Sequence, residues 1–275
     1  MSVRDRMIDY IEKKGGSCGY MKCPTSSGGD ENEMLINPRI ELPEETEVIF
    51  TLGGDGTMIR AAQATLGSKV PMAGINLGHL GYLCDLDETT VYPAIDELME
   101  DNYTIEERMM LEGAVFEDDK AIMDFVPALN DIVITYYGAL NVINISLYVD
   151  KKYLYSYNCD GMIFSTPTGS TAYNLSANGP IVDPKTQLIL ITPINPHTLN
   201  SRSIVIDSAS EVELRVSSRY EGHHVKAQVL FDGNQRVILD DARSLKVRKA
   251  SETTEIIGFS KLNFLERISV KLQER

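Results

Sequence analysis

Residues 47–57 read EVIFTLGGDGT, and this stretch decides the fold of the first part of the chain. Its β-branched and aromatic run, which ends at Leu52, is typical of a short buried strand. The apolar residues that follow at helical spacing, from Met58 to Leu66, predict a helix that ends at Gly67. The glycines between the two elements allow a sharp turn and a close approach of the backbone to a ligand. The stretch therefore predicts a strand, a glycine-rich loop and a helix.

Asp55 is the unusual residue of this loop. Backbone N–H groups at the start of a helix suit phosphate, and a carboxylate there repels phosphate unless it binds a metal ion or accepts a proton. One interpretation is phosphoryl transfer, with Asp55 near the attacking hydroxyl. The other is a plain turn in which Asp55 is the N-cap of the helix. The chain contains no Gly-Lys pair, so the loop is not a Walker A motif.

The sequence predicts further helices and a second strand before and after this unit. Apolar residues recur at helical spacing in residues 3–14, 91–99 and 264–273, and 71–75 is a second short apolar run. Arg60 lies one helical turn beyond the glycine-rich loop. It is a candidate to bind phosphate, or else a solvated side chain on the face of the helix.

The pattern changes at about residue 104. The helical period is nearly lost, and apolar residues alternate with polar ones, for example from Ile143 to Val149. We therefore expect an α/β N-terminal domain, Rossmann-like with a parallel sheet, and a mostly antiparallel, β-sandwich-like C-terminal domain. The expected boundaries are 1–103 for the domain that carries the GGDGT loop, with 254–275 packing back on it, and 104–253 for the second domain.

A second polar segment, residues 160–180, reads DGMIFSTPTGSTAYNLSANGP. A strand at 162–165 enters a loop that is dense in hydroxyl groups and glycine. The hydroxyls can bind sugar, base or phosphate, and Tyr173 can stack on a base. The alternative is an ordinary Ser/Thr-rich surface loop. The hydroxyl-bearing residues are Thr166, Thr168, Ser170, Thr171 and Ser176.

A third segment, Asn130-Asp131, directly precedes a predicted buried strand. Asn130 offers a donor and an acceptor, and Asp131 can bind a ribose diol. Because Asn and Asp also favour turns, a simple turn is the alternative here.

Composition excludes several classes of protein. The formal net charge is −14, which argues against a nucleic-acid partner, because phosphate backbones are bound by clustered Lys and Arg. No apolar run is long enough to span a membrane, and the charged first residues do not form a secretory signal. The four cysteines show no zinc-binding spacing, so no metal site is assigned to protein side chains. We expect a cytoplasmic protein with no membrane partner.

Taken together, these segments resemble the NAD kinase family. The similar features are the GGDGT loop, the N-x-G-x-L-G stretch at 76–81, the Asn130-Asp131 pair and the block from Asp160 to Tyr173. The GGDGT loop alone is shared with diacylglycerol and sphingosine kinases, whereas the TGSTAY block at 168–173 is more specific. The resemblance implies that the chain transfers a phosphoryl group from ATP, or from polyphosphate, to the 2′-hydroxyl of the adenosine ribose of NAD.

The resemblance also implies roles for particular residues. Asp55 would be the catalytic proton acceptor, and Asp131 stands where many members have the longer Glu. The glycine-rich loop would meet the phosphate donor through Gly53, Gly54, Gly56, Thr57 and Arg60. NAD contacts are implied for Asp55, Gly56, Tyr82, Asn130, Asp131, Asn158, Asp160, Thr168, Thr171, Ala172, Tyr173, Ser176 and Asn234.

Cofactors and partners follow from the same resemblance. A divalent ion, with Mg²⁺ as the first candidate, should accompany ATP, because an acidic site without a P-loop lysine needs its charge neutralised. A homodimer or homotetramer is expected. Two alternatives stay open, namely a lipid kinase with the same loop and a non-catalytic dinucleotide sensor. The sequence does not distinguish ATP from polyphosphate, or NAD from NADH.

Overall fold

A computed structural model describes residues 2–23, 38–78, 81–138, 142–198, 201–218, 224–259 and 264–273. The chain forms two compact units. Unit 1 contains the described residues of 2–23, 40–107 and 254–273, and unit 2 is built on Arg108–Thr253. Of the described helices, none is long and apolar enough to cross a membrane.

The described residues form five α-helices, four of which overlap the helices that the sequence predicts. They are α1 (Val3–Lys13), α2 (Asp55–Ala64), α3 (Val91–Met99), α4 (Tyr173–Ser176) and α5 (Phe264–Gln273), with a 3-10 turn at Thr168–Thr171 directly before α4.

The described strands fall mostly in the second half of the chain. They are β1 (Ile49–Gly53), β2 (Met72–Asn76), β3 (Thr104–Glu117), β4 (Lys120–Ala121), β5 (Val126–Ala128), β6 (Asp131–Tyr136), β7 (Ile143–Val149), β8 (Lys152–Cys159), β9 (Gly161–Ser165), β10 (Leu188–Ile194), β11 (Ile204–Asp207), β12 (Val212–Ser217), β13 (Lys226–Phe231), β14 (Gln235–Asp240) and β15 (Arg243–Gly258).

Unit 1 is built on parallel strands. β1 pairs with β2 in parallel, and Ile256, near the end of β15, pairs with Met72 in the same direction. The apolar faces of α1 and α3 pack with β2 in one core, which includes Met7, Ile75 and Ile95. The carboxyl ends of β1 and β2 therefore lie at one edge of this sheet, and the glycine-rich loop leaves from that edge.

Unit 2 consists of antiparallel strands in two layers. One sheet has the order β11-β10-β9-β6-β13-β14, and every neighbouring pair in it is antiparallel. In the other layer β12 pairs with β7 and with the first part of β15, and β7 pairs with β8. Side chains from both layers, such as Ile134 and Leu147, pack in one apolar core. The predicted fold class, α/β followed by mostly antiparallel β, is confirmed.

One segment differs from the sequence expectation. The residues after β9 were expected to form a loop, but they form the 3-10 turn and α4. Ser, Thr, Gly and Pro are poor helix formers, which is why their density predicts a loop. Here tertiary hydrogen bonds outweigh the low helix propensity. The buried Asn174 side chain stabilises the segment, because its Nδ2 donates to the carbonyls of Ser170 and Pro180.

Candidate active site

The Asp55 carboxylate lies in a cradle of three backbone N–H groups. The N–H of Tyr82 donates to Oδ2 at 2.7 Å, and those of Leu83 and Cys84 donate to Oδ1 at 3.2 Å each. Asp55 is the first residue of α2, and the N-cap is Gly54, which has no side chain to cap with. The interpretation of Asp55 as the N-cap is therefore wrong, because its side chain binds residues 82–84 instead.

Gly81 is required for this cradle. A Cβ at position 81 would overlap the Asp55 carboxyl group, so only glycine lets the segment pass this close. Cys84, whose N–H belongs to the cradle, is buried. Burial raises the pKa of its thiol to about 12, and the negative charge of Asp55 adds to the rise. The Cys84 thiol is therefore protonated at neutral pH and does not act as a nucleophile.

The expected phosphate-donor loop is compact. A Cβ at Gly53 would come within 2.9 Å of the Cβ of Thr57, so this turn also depends on glycine. Nη2 of Arg60 donates to Oγ1 of Thr57 at 3.3 Å, and a Cβ at the exposed Gly56 would be 3.7 Å from Nη1 of Arg60. Arg60 is half-buried against the loop, rather than extended from the helix into solvent.

The residues of unit 1 that the sequence singles out thus lie on two neighbouring segments. Gly53, Gly54 and Gly56 line the turn into α2, and Tyr82 belongs to the cradle. Residues 79 and 80 of the N-x-G-x-L-G stretch lie outside the described residues.

In unit 2, Asp232 organises the Asn130-Asp131 pair. Asp232 lies in the turn between β13 and β14, with a φ of 48°. Its Oδ1 accepts the N–H groups of Asn130 at 2.7 Å and Asp131 at 3.0 Å, and its Oδ2 accepts that of Leu129 at 2.8 Å. The N–H of Asp232 in turn donates to the carbonyl of Asp131 at 2.9 Å. Two segments that are distant in sequence are therefore joined by hydrogen bonds.

The carbonyl side of the same segment is bound by Thr166, which directly follows β9. Oγ1 of the buried Thr166 donates to the carbonyl of Leu129 at 2.6 Å, and its N–H donates to the carbonyl of Asn130 at 2.9 Å. Gly169 lies so close that a Cβ there would overlap the Asn130 carbonyl. Both sides of this peptide segment are therefore held, and the side chains of Asn130 and Asp131 leave from a rigid backbone.

Asp131 is a buried carboxyl group, with only 5% of its surface exposed. Burial raises its pKa to about 8, and the negative charge of Asp232 adds to the rise. Asp232 is the member of the pair that N–H groups stabilise, so Asp131 is the member that takes up the proton. At neutral pH Asp131 can therefore donate a hydrogen bond as well as accept one.

The hydroxyl-rich block separates into structural and accessible residues. Ser170 is fully buried, where its Oγ accepts the N–H of Val182 at 3.0 Å, so its hydroxyl is occupied like that of Thr166. Oγ1 of Thr168 is buried, and no hydrogen-bond partner for it is found among the described residues. Thr171 and Ala172 are half-buried, whereas Tyr173 and Ser176 are exposed. The accessible side chains are thus at the C-terminal end of the block.

Asn158 and Asp160 lie apart from the other candidates of unit 2. Asp131 pairs with Ser165 at one end of β9, and Gly161, next to Asp160, is at the other end. Four residues of strand separate these ends by about 13 Å. Asp160 accepts a hydrogen bond from Asn195 at 3.0 Å, and Asn158 accepts one from Asn144 at 3.2 Å.

The structure therefore groups most of the predicted residues of unit 2. Asn130 and Asp131 adjoin the 3-10 turn that carries Thr168 and Thr171, and Asn234 belongs to the turn that carries Asp232. The sequence suggests Thr166 as a hydroxyl that binds a ligand, whereas in the structure it holds the backbone, as Asp232 and Gly81 also do. Asp-Gly is a common turn pair, so residues 232–233 by themselves indicate a turn, but nothing local indicates which backbone the Asp232 carboxylate binds.

The side chains that could bind a divalent ion are few. Among the described residues, no group of three or more His, Cys, Asp or Glu side chains could hold a metal ion. Mg²⁺ in phosphotransferases is often bound by one or two carboxylates together with substrate phosphates and water. The described residues thus fit an ion that would be held mainly by the phosphates of a bound nucleotide, rather than by a cage of protein side chains.

A strand that leads through a glycine-rich, acidic loop into a helix is the arrangement expected of a phosphotransferase that binds phosphate at a helix N-terminus. Residues 12–103 match the model of the ATP-NAD kinase N-terminal domain, and residues 129–259 match that of the ATP-NAD kinase C-terminal domain. The chain belongs to the NAD kinase family.

Individual relatives agree with this assignment. The chain is 40% identical to an NAD kinase of Agathobacter rectalis over 98% of this chain and 93% of that protein, and 42% identical to one of Moorella thermoacetica over 98% and 83%. Yeast NADH kinase, solved with NADH, superposes with a TM-score of 0.77 at 26% identity, over 84% of this chain and 69% of that one. An Archaeoglobus fulgidus NAD kinase, solved with ATP, shares the fold with a TM-score of 0.80 at 21% identity, over 100% and 96% of the two chains.

Proposed function

We propose that the chain is an NAD kinase that transfers the terminal phosphoryl group of ATP to the 2′-hydroxyl of the adenosine ribose of NAD, which gives NADP. One observation carries this proposal. In a chain of the NAD kinase family, the carboxylate of Asp55 is fixed at the edge where β1 ends, at the first residue of α2.

The glycine-rich loop is proposed to bind the phosphates. The backbone at the start of α2 carries no side chains at Gly53, Gly54 and Gly56, so a phosphate can approach it closely. The N–H groups and the helix dipole there favour negative charge. Thr57 and Arg60 add a hydroxyl and a guanidinium group on the same turn. Asp55 is proposed to accept the proton of the attacking 2′-hydroxyl, because it is the carboxylate that this loop fixes.

The second unit is proposed to bind the dinucleotide. Asn130 and Asp131 offer an amide and a neutral carboxyl group on a fixed backbone, and both can form hydrogen bonds with ribose hydroxyls. Thr168, Thr171, Ala172, Tyr173 and Ser176 are proposed to line the nucleoside. Their small side chains leave room for it, and the exposed Tyr173 ring can stack.

A divalent ion, most simply Mg²⁺, is proposed to arrive with ATP and to be held mainly by its phosphates. When bound, it neutralises the charge that develops on the transferred group. Arg60 and the N–H groups of the loop then orient the donor, and Asp55 is the group of this chain that handles the proton.

The alternative enzymes and the sensor are less well supported. Both family models that match the chain are those of ATP-NAD kinase, which does not favour a lipid kinase. A non-catalytic sensor would need no carboxylate in a loop that binds phosphate, whereas Asp55 is fixed in that loop. The donor, ATP or polyphosphate, and the preference between NAD and NADH stay open to measurement.

The experiment that tests the function is a direct assay. Purified protein is incubated with NAD, ATP and Mg²⁺, and NADP is measured by an enzyme specific for it. Parallel reactions replace ATP with polyphosphate, NAD with NADH, or NAD with diacylglycerol, and one contains EDTA. Formation of NADP that requires a divalent ion is expected. Absence of NADP with both donors would contradict the proposal.

Three further expectations stay predictions. Asp160 precedes Gly161, which is about 13 Å along β9 from the end that pairs with Asp131, and we propose that an oligomer lets a second copy use Asp160 and Asn158. Sedimentation should then show a dimer or tetramer, and a fully active monomer would contradict it.

The cytoplasmic location and the domain boundaries at 103/104 and 253/254 likewise await a direct test.

A further inference from the structure

The turn between β13 and β14 carries a carboxylate that the reaction itself does not use. Asp232 belongs to this turn, and its two oxygens accept the N–H groups of Leu129, Asn130 and Asp131. Hydrogen bonds from N–H groups to a carboxylate are about twice as strong as those between neutral groups. A hairpin turn needs no such bonds to another strand in order to form.

We propose that Asp232, together with Thr166 on the opposite side of the peptide, is a positioning residue that holds Asn130 and Asp131 in place for the dinucleotide. The proposal rests on the assignment of these two residues to NAD. It adds residues that act through them, from a turn about a hundred positions further along the chain.

The geometry favours positioning over simple turn formation. Asp232 binds the N–H edge of residues 129–131, whereas Thr166 binds the carbonyls of Leu129 and Asn130. Both edges of one short peptide are thus bound by polar groups, and Gly169 packs directly against the Asn130 carbonyl. A segment bound in this way has one backbone position, so its side chains need no reordering when a ligand binds.

The charge of Asp232 has a second effect. Burial raises the pKa of Asp131 to about 8, and the negative charge of Asp232 adds to this rise, so the carboxyl group is mostly protonated at pH 7. The groups that Asp131 faces across the strands support this, since its partner on β9 is the uncharged Ser165. Asp232 therefore holds the backbone of its neighbour and adds to the effect of burial on the protonation of Asp131.

The chain offers a matched control in Asp150. Asp150 also lies in a hairpin turn of unit 2, with a φ of 49° against 48° for Asp232. Its carboxylate accepts the N–H of Glu211 at 3.0 Å and the hydroxyl of Ser210 at 3.1 Å. It thus resembles Asp232 in conformation and in hydrogen bonding, but it binds no candidate site residue. Asp150→Asn reports the cost of weakening such a turn alone.

The test compares Asp232→Asn, Asp150→Asn and the wild type by calorimetric titration with NAD, by turnover and by thermal unfolding. Asn tolerates the positive φ but cannot accept all three N–H groups, because one oxygen becomes an amide donor. We expect Asp232→Asn to raise the Kd for NAD about tenfold, with a smaller change in kcat, since misplacement of binding groups weakens contacts. Asp150→Asn should change the Kd less than twofold.

A double-mutant cycle separates positioning from a general structural effect. In an Asn130→Ala, Asp131→Ala background, Asp232→Asn should no longer change the Kd by more than about twofold, because no placed side chains remain. The same fold-change in both backgrounds would overturn the proposal. If Asp232→Asn does not fold, Thr166→Val replaces it in the same cycle, with the same criterion. A wild type that neither binds nor phosphorylates NAD would instead refute the proposed function, which is thus tested apart from Asp232.

Discussion

The carboxylate of Asp55 accepts a 2.7 Å hydrogen bond from the backbone N–H of Tyr82, 27 residues further along the chain. This bond, with those from Leu83 and Cys84, ties the GGDGT loop to the segment after β2. Asp55 therefore has two functions to separate by experiment. It holds residues 82–84 in place, and we propose that it also takes part in phosphoryl transfer.

Gly81→Ala tests whether the cradle positions Asp55. The added Cβ overlaps the carboxyl group, so Asp55 or the segment must move. A displacement of about 1 Å at a reacting group can cost about 100-fold in rate, and we expect a fall in kcat of that order. Gly19→Ala is the control, because nothing lies within 4 Å of a Cβ there. In an Asp55→Ala background the Gly81 substitution should change little further, and a full additional loss would argue against the cradle.

Asp55→Asn tests the catalytic role, and the structure changes how its result should be interpreted. The sequence alone suggests that Asn keeps the shape of the loop. The cradle, however, has N–H donors on both oxygens, so the amide group of Asn must face one donor with another. We expect a stability loss of about 1–3 kcal/mol in addition to a 10²–10⁴-fold lower kcat, as is typical for general-base loss.

Amide hydrogen exchange at Tyr82, measured beside kcat and the Kd for NAD, separates the two effects of this variant. Faster exchange with unchanged turnover would leave Asp55 only a structural role. A lower kcat with a nearly unchanged Kd supports the catalytic one.

Hydrophobic periodicity in the sequence predicted most of the helices and the first strand-loop-helix unit. The helical spacing of α1, α3 and α5 and the strand-loop-helix unit at β1 and α2 could be found in the sequence, because one apolar face repeats within each element. The turn at Asp150-Lys151, between β7 and β8, likewise follows directly after the alternating run from Ile143 to Val149. These elements needed no knowledge of distant contacts.

The sequence could suggest which residues belong to the candidate site, but not which hydrogen bonds hold those residues in place. Asp55 and Tyr82, like Asp232 and Asn130, meet only after folding, and no sequence spacing records such a pair. The sequence also could not tell a buried hydroxyl from an accessible one. Ser170 and Thr171 are neighbours of similar chemistry, yet only Ser170 is buried completely.

Ser170→Ala and Thr171→Val should therefore differ in what they damage. Removal of the Ser170 hydroxyl leaves both the N–H and the carbonyl of Val182 without this partner, at a cost of about 1–3 kcal/mol in the free energy of unfolding. NAD affinity should change little. The Thr171 hydroxyl has only a 3.4 Å contact with the Thr168 carbonyl, so its loss should weaken NAD binding at nearly constant stability. Urea unfolding and calorimetric titration measure the two effects, and the reverse pattern would contradict the assignment of Thr171.

Asp131→Asn tests the protonation state of the buried carboxyl group. The folded protein raises the pKa of Asp131 from 3.8 to about 8, mainly by burial. Between these values the native state holds a proton that the unfolded state has lost, so the free energy of unfolding decreases as pH rises. The contribution is fully present below about pH 4 and is lost as pH rises through about 8.

Asn does not titrate and is nearly isosteric with the neutral acid. The stability of the variant relative to the wild type should therefore increase steadily from pH 5 to pH 8 and level off above. Urea unfolding of both proteins at each pH measures this difference, in which groups that titrate equally in both cancel. A difference that is the same at pH 5 and pH 8 would show that Asp131 ionises normally, and that a neutral carboxyl group is not what this site offers to a ligand.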